Sequence, residues 1–373
     1  MISGLEDVVA AETVLSDVDG QSGRLIIRGQ SLDELVEHAT YEDILTLLWE
    51  GFFKESPRAD EMPDMLGMAR LQVFQHLAAA DAQLIEQPAV DAVRALVARL
   101  PDGEDIGNAL LLVAAPAVFT AGVLRRQQGL KPIAPDPKLG HAADVLYMLN
   151  GERPTDEQTS ALDRYLMTVS DHGLNASTFA ARVVASTRAG LTSAMLAAMC
   201  ALKGPLHGGA PGPVLDTLDG IGSPENAASW LQGALDRGER LMGFGHRVYR
   251  VRDPRADALK ESIRRLALAG QVNAERLRLA EAVETAALEL LARKKPDRPL
   301  QTNVEFYTAL LLEALRLPRE AFTCVFAIGR SGGWIAHARE QMLKGRLIRP
   351  QSRYIGPAPQ SRSQPPHRAA AGV

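Results

Sequence analysis

Apolar positions along this chain recur mostly at helical spacing, and only near the N-terminus does the pattern shorten to strand length. Residues 12–28 (ETVLSDVDGQSGRLIIR) carry the one hairpin signal, a turn cluster from Asp19 to Gly23 ahead of a short strand at Leu25-Ile26-Ile27. From there on the pattern predicts helices. Ser31 to Glu34 and Thr155 to Gln158 have capping-box spacing, and Thr40 can cap TYEDILTLLWEG, which stops at Gly51. A Pro-rich polar loop occupies 54–64. Ala-rich segments at 65–100 and 104–130 predict amphipathic to fully buried helices, and Lys131–Pro137 (KPIAPDP) is a linker. Residues 138–150 read as helix. The run 177–203 is apolar nearly all round, so at least one helix there is central. Further helices are predicted from Ser223-Pro224 to near Gly238 and over 254–268, 273–294, 303–316 and 331–344. From Tyr354 the chain turns to Pro, Ser, Gln and Arg, and the tail beyond 358 reads as disordered.

Composition sharpens this picture. With 46% hydrophobic but only 5% aromatic residues, Ala, Leu and Val must do the packing, which favours helices. At 373 residues the chain can bury a large core and is expected to split into two lobes. A net charge of -4 argues against nucleic acid as the main partner. Cys200 and Cys324, each among apolar neighbours, read as small core residues rather than a disulfide or metal framework. The N-terminus lacks the basic-then-apolar pattern of a signal peptide, and no uninterrupted apolar run approaches the ~20 residues of a membrane span. A soluble, cytoplasmic protein with no membrane partner is the expectation.

Against that acidic background, residues 241–255 are strongly cationic: His246, Arg247, Arg250, Arg252 and Arg255 share the stretch with one acid, Asp253. Gly243 and Gly245 let the backbone bend or approach a ligand closely. Asp253-Pro254 reads as a helix start, Asp as N-cap and Pro at the first position. Arginine forks and a helix N-terminus together suit a small multivalent anion, although a solvated basic loop has the same pattern. His172 and His207 also stand beside helix breaks. The other five histidines (His38, His76, His141, His337, His367) read as surface or packing groups. HExxH, CxxC and GxSxG spacings are missing, so neither a metal centre nor a serine hydrolase is predicted.

Four segments in order, GPLHGGA (204–210), MGFGHRVYRVRDPRA (242–256), TNVEFY (302–307) and AIGRSGGWIAH (327–337), resemble the citrate synthase family. The resemblance runs from GLEDVVAAET at residue 4 to RPQSRYIGP ending at 357. It implies an all-α, citrate-synthase-like fold with a short N-terminal β-hairpin. The large domain would comprise 1–208 and 317–373, the small domain 209–316. It also implies a homodimer with the active site in a cleft, and condensation of acetyl-CoA with oxaloacetate followed by hydrolysis of citryl-CoA, without metal or further cofactor.

The family positions fit the chemistry. A weakly acidic α-proton needs a carboxylate base, here Glu305, and a donor on the thioester oxygen, here His207. His246 would polarise the ketone. His172, Arg255 and Arg330 would hold the dicarboxylate, with Arg349 reaching in from the partner subunit. Asn175 would orient His172 or touch substrate, and Arg250 would contact CoA phosphate or else face solvent. Two departures stand out. The family's usual base is aspartate, as in NVDFY, whereas this chain has Glu305, one methylene longer. Ala210-Pro211 stands where many members have Ala-Asn. The alternatives are a 2-methylcitrate synthase using propionyl-CoA, since one methylene in an apolar pocket is worth only ~1–3 kcal/mol, and a weakly active dimeric paralogue serving regulation or assembly.

Overall fold

The computed structural model describes residues 4–5, 8–78, 82–207, 211–245, 251, 253–294 and 300–357. Strands β1 (Ser16–Asp19), β2 (Arg24–Ile27) and β3 (Gln30–Ser31) form a small antiparallel sheet in that order, with Ser16 opposite Ile27 and Asp19 opposite Arg24. Among the described residues, all other regular structure is helical apart from one isolated antiparallel bridge between Phe244 and Thr302. The first ten helices are α1 (Leu32–His38), α2 (Tyr41–Trp49), α3 (Met62–Leu77), α4 (Ala82–Ile85), α5 (Ala89–Val97), α6 (Ile106–Gln127), α7 (His141–Asn150), α8 (Asp156–Val169), α9 (Ala176–Ala185) and α10 (Leu191–Leu202). After them come α11 (Pro211–Ile221), α12 (Ala227–Asp236), α13 (Pro254–Leu268), α14 (Ala274–Lys294), α15 (Val304–Ala314) and α16 (Phe322–Lys344).

The capping boxes at Thr40 and Thr155 form as expected, each hydroxyl accepting from the N3 backbone N–H while the N3 side chain accepts from the cap N–H. The box expected at Ser31 does not form. Ser31 belongs to β3 and pairs with Ile26, and its hydroxyl makes no cap hydrogen bond to α1. The helix expected from Ser223 opens with a 3-10 turn, Pro224–Asn226, before α12. The largest difference is at α16, expected from 331 but beginning at Phe322. Its glycines do not break the helix; they let it pack closely. A Cβ on Gly333 would run into the Ser170 carbonyl, and one on Gly329 into Val169 at the end of α8. Cys324 is buried as expected, whereas Cys200 is exposed, on the outer face of α10 beside Arg94.

Helix α6 is long and apolar enough to cross a membrane by length and composition, but 83% of its apolar window is buried inside the fold. It is a core helix, packed against α3, α5, α7, α10 and α16. Helix α16 is the second central rod, touching α2, α6, α8, α9 and α10. The segment from α11 to α15 docks through α13, which lies on both α8 and α15. Its two irregular stretches are stitched together: Gly245 N–H donates to Gln301 O (2.7 Å), Asn303 N–H to Gly243 O (3.0 Å), and Asn303 Nδ2 to Gly245 O (2.8 Å). Gly243 and Gly245 both have positive φ, 86° and 79°, so glycine is required at this crossing. The pairing sets the loop that leads into residue 246 beside the start of α15.

Candidate active site

Arg330 lies two turns into α16 and is only 2% exposed. Its Nε donates to the Val169 carbonyl at the end of α8, and its guanidinium carbon lies 4.8 Å from the Phe326 ring centre. One terminal nitrogen, Nη1, is buried with no hydrogen-bond partner among the described residues. Burial lowers its pKa to about 10, with Arg255 acting in the same direction and Asp171 opposing both. A buried cation with one open edge is suited to an incoming carboxylate.

His207 follows α10. Its Nε2 lies 2.8 Å from Ser177 Oγ, and its ring meets Phe326 edge-on at 6.2 Å. Burial, aided by the Arg330 charge, pulls its pKa down to about 4, so the ring is neutral at pH 7. Ser177 is fully buried and collects three partners. Trp334 Nε1–H donates to its oxygen (3.1 Å), its hydroxyl donates to Asn175 Oδ1 (2.8 Å), and His207 meets it from a third side. Asn175 also caps α9 by accepting from Thr178 N–H at 3.1 Å. With the Ser177 proton on Asn175, His207 must donate from Nε2, which leaves Nδ1 as an acceptor. In the other tautomer the hydroxyl turns its hydrogen toward Nε2 and the ring carries its own on Nδ1, the form that can donate to a ligand.

The third part comes from the ends of α13 and α15. Asp253 caps α13 by accepting from Arg255 N–H (3.1 Å) and also grips the Arg255 side chain, taking Nε at 3.0 Å and Nη2 at 2.9 Å. Its second oxygen accepts Val304 N–H at 3.1 Å, joining α13 to the first turn of α15. Glu305 is the next residue, its N–H held by the Asn303 cap at 3.0 Å. Burial pushes the Glu305 carboxyl up to about 7, while Arg255 and the exposed Arg240 oppose the shift. These influences form a chain: Arg330 acts on His207 and feels Arg255, and Arg255 acts on Glu305.

Of the residues singled out in the sequence, His207, Asn175, Arg255, Glu305 and Arg330 are therefore brought together. His172 is half-buried in the turn between α8 and α9, directly after Asp171, which also acts on Arg330. Arg349 is exposed beyond α16, where Ile348 N–H reaches Ser186 Oγ (3.1 Å) at the far end of α9. That end lies roughly 15 Å along the helix from Asn175, at 1.5 Å per residue. His246 and Arg250 fall outside the described residues. The sequence reading missed Ser177, Trp334 and Asp171, and read Asp253 only as a helix cap. Trp334 had a usable signal, standing four residues after Arg330 and so on the same helix face.

Comparison with known proteins shows the family. A family model described as citrate synthase, C-terminal domain, matches residues 4–351. The chain is 38% identical to a citrate synthase of Haloferax volcanii, with 95% of each chain covered. It is 35% identical to a 2-methylcitrate synthase of Mycobacterium tuberculosis, over 95% of this chain and 90% of that one. Among solved structures it is similar to citrate synthase from Pyrobaculum aerophilum (TM-score 0.84, 33% identity, 97% and 94% covered). It is equally similar to citrate synthase from Thermoplasma acidophilum in its ternary complex with carboxymethyl coenzyme A and oxaloacetate (TM-score 0.84, 28% identity, 97% and 98% covered).

Proposed function

The chain belongs to the citrate synthase family, and from that premise we propose how its own residues divide the condensation of acetyl-CoA with oxaloacetate. Glu305 takes a proton from the acetyl methyl group while His207 donates a hydrogen bond to the thioester oxygen, so that the electron pair leaving the C–H bond is received as an enolate on that oxygen. The enolate carbon attacks the oxaloacetate ketone carbon, and the ketone oxygen takes a proton from His246. Water then adds to the thioester of citryl-CoA and CoA leaves with a proton, giving citrate. Arg330, Arg255 and His172 hold the two carboxylates of oxaloacetate, Asn175 steadies His207 through Ser177, and Arg250 contacts CoA phosphate.

The observation that carries this reading is the arrangement of His207 and Glu305 around two buried guanidinium groups, Arg330 and Arg255, where burial shifts the acid up and the imidazole down. A carboxyl raised to about 7 can both take and return a proton near neutral pH, and an imidazole lowered to about 4 donates without first carrying charge. The proton transfers of enolisation and condensation are served by side chains, so those steps call for no metal and no further cofactor. We further propose a large domain of 1–208 and 317–373 closing on a small domain of 209–316, and a cytoplasmic homodimer in which Arg349 enters the partner's cleft. The exposure of Arg349, at the end of α9 remote from Asn175, is the support for a role in trans.

The test is kinetic. Purified protein given acetyl-CoA and oxaloacetate is expected to release free thiol, with kcat/KM for acetyl-CoA above that for propionyl-CoA. No thiol at high enzyme concentration overturns the reading. A higher value with propionyl-CoA makes the protein a 2-methylcitrate synthase instead, a reading favoured by the 35% identity to the mycobacterial 2-methylcitrate synthase. For the dimer, mixing Arg349→Ala with Arg330→Leu chains is expected to restore activity that neither variant has alone.

A further inference from the structure

Helix α16 carries more than Arg330. Trp334, His337 and Gln341 follow it at i+4, i+7 and i+11, so all four share one stripe. His337 is fully buried, and its Nε2 lies 3.1 and 3.3 Å from the two carboxylate oxygens of Asp171. Its Nδ1 lies 2.9 Å from Arg182 Nη1. A guanidinium only donates, so Nδ1 accepts and Nε2 carries the hydrogen given to Asp171. Arg182 is held in turn by Glu340 (2.6 Å) and Gln341 (3.1 Å), and Glu340 accepts Val14 N–H at 2.9 Å. The tautomer of His337 is thus fixed from behind.

Asp171 has a second partner, in β1. Its carboxylate takes the Ser16 hydroxyl of β1, whose oxygen accepts Gly173 N–H at 2.9 Å. His172 therefore stands between two anchored neighbours, Asp171 through its side chain and Gly173 through its backbone. Burial works against the Asp171 carboxylate, but His337 and Arg330 outweigh it and hold its pKa below the ordinary range. Asp171 is in turn the leading favourable charge on Arg330.

We propose that His337 is a positioning residue for the dicarboxylate: acting through Asp171, it sets the place of His172 and keeps the open edge of Arg330 aimed into the cleft. The inference rests on the reading above that His172 and Arg330 hold oxaloacetate. Two variants separate its contacts. His337→Asn keeps an acceptor for Arg182 but falls short of Asp171, whereas His337→Gln keeps a donor within reach of Asp171. The expected result is a rise of about 10- to 100-fold in KM for oxaloacetate in His337→Asn, the loss of one charge-assisted hydrogen bond. KM for acetyl-CoA should stay near wild type, and His337→Gln should recover most of the loss. Ser16→Ala, at the edge of the fold, should move the oxaloacetate KM in the same direction, and it decides the matter if His337→Asn does not fold. The inference is overturned if both His337 variants lower the melting temperature alike while KM for oxaloacetate, per folded enzyme, stays at the wild-type value. An unchanged KM in folded Ser16→Ala, where His337→Asn is unfolded, also overturns it. Arg330→Leu is the control. If it too leaves the oxaloacetate KM unchanged, the site reading itself fails; if it abolishes saturation while the His337 variants are neutral, only this inference fails.

Discussion

Replacing Glu305 by Asp tests whether this pocket is built for the longer acid. The substitution withdraws the carboxylate by one carbon–carbon bond, about 1.5 Å. The backbone has little freedom to follow. Glu305 N–H is held by Asn303, Val304 N–H by Asp253, and the Asn303 amide by the Gly245 carbonyl, at 3.0, 3.1 and 2.8 Å. Breaking three such bonds costs roughly 3 kcal/mol at about 1 kcal/mol each, or about 10²-fold in rate. Leaving them intact misplaces the base by more than 1 Å, which also costs about 10²-fold. Both routes predict that Glu305→Asp lowers kcat by about two orders of magnitude. The assay is thiol release at saturating acetyl-CoA and oxaloacetate, with oxaloacetate binding measured separately to establish that the site is intact. A variant as fast as wild type, or faster, would refute the reasoning. Equal speed would mean that the pocket fits aspartate as well, and a gain of orders of magnitude that the natural glutamate holds catalysis back, as in a paralogue kept for regulation or assembly.

Glu305 also predicts two pH effects. Activity should rise with pH through about 7 as the base ionises, and a pH-independent kcat/KM between 6 and 8 would contradict that. Because its folded pKa lies above the unfolded 4.5, the charged form is the unfavourable one, so stability falls as pH rises from 4.5 to about 7 and then levels off. Glu305→Gln should therefore be inactive yet more resistant to urea at pH 8 than wild type, by at most roughly 3 kcal/mol, with the gain absent at pH 4. Ser177→Ala removes the hydroxyl shared by His207, Asn175 and Trp334. It should lower kcat roughly 10- to 100-fold, as expected for general acid–base groups losing their alignment, and an unchanged kcat would show that His207 needs no such support. Gly333→Ala forces a methyl group against the Ser170 carbonyl. It should cost about 1–3 kcal/mol by chemical denaturation and raise the oxaloacetate KM, since Asp171 and His172 follow Ser170 directly; a neutral effect on both would contradict the close packing.

What the sequence made legible follows from how local each signal is. Thr40 and Thr155 could be read because a capping box closes within four residues. Ser31 has the same spacing, but strand pairing with Ile26 holds its backbone and wins. The first turns of α16 were hidden because Gly329 and Gly332-Gly333 resemble a break until their neighbours on α8 and α2 are known. The motif segments pointed to His207, Glu305, Arg255 and Arg330, but not to what holds them. Ser177 is an ordinary serine in the first turn of a helix. His337 reads as one more histidine on a helix face, and only the fold brings Asp171, 166 positions earlier in the chain, against it. Nor could spacing reveal that Asp253, legible as a cap, also clasps the Arg255 side chain and the start of α15.

The stripe of α16 has a consequence for how this enzyme can be altered by insertion. Each added residue in a helix turns everything beyond it by about 100°. One extra residue between Arg330 and Trp334 would leave the guanidinium in place but swing the indole away from Ser177 and the imidazole away from Asp171. Both histidine-bearing turns would be released at once by a change that deletes nothing. The Lys131–Pro137 linker, by contrast, should absorb such an insertion, which makes α16 the ruler against which the length of the chain is fixed.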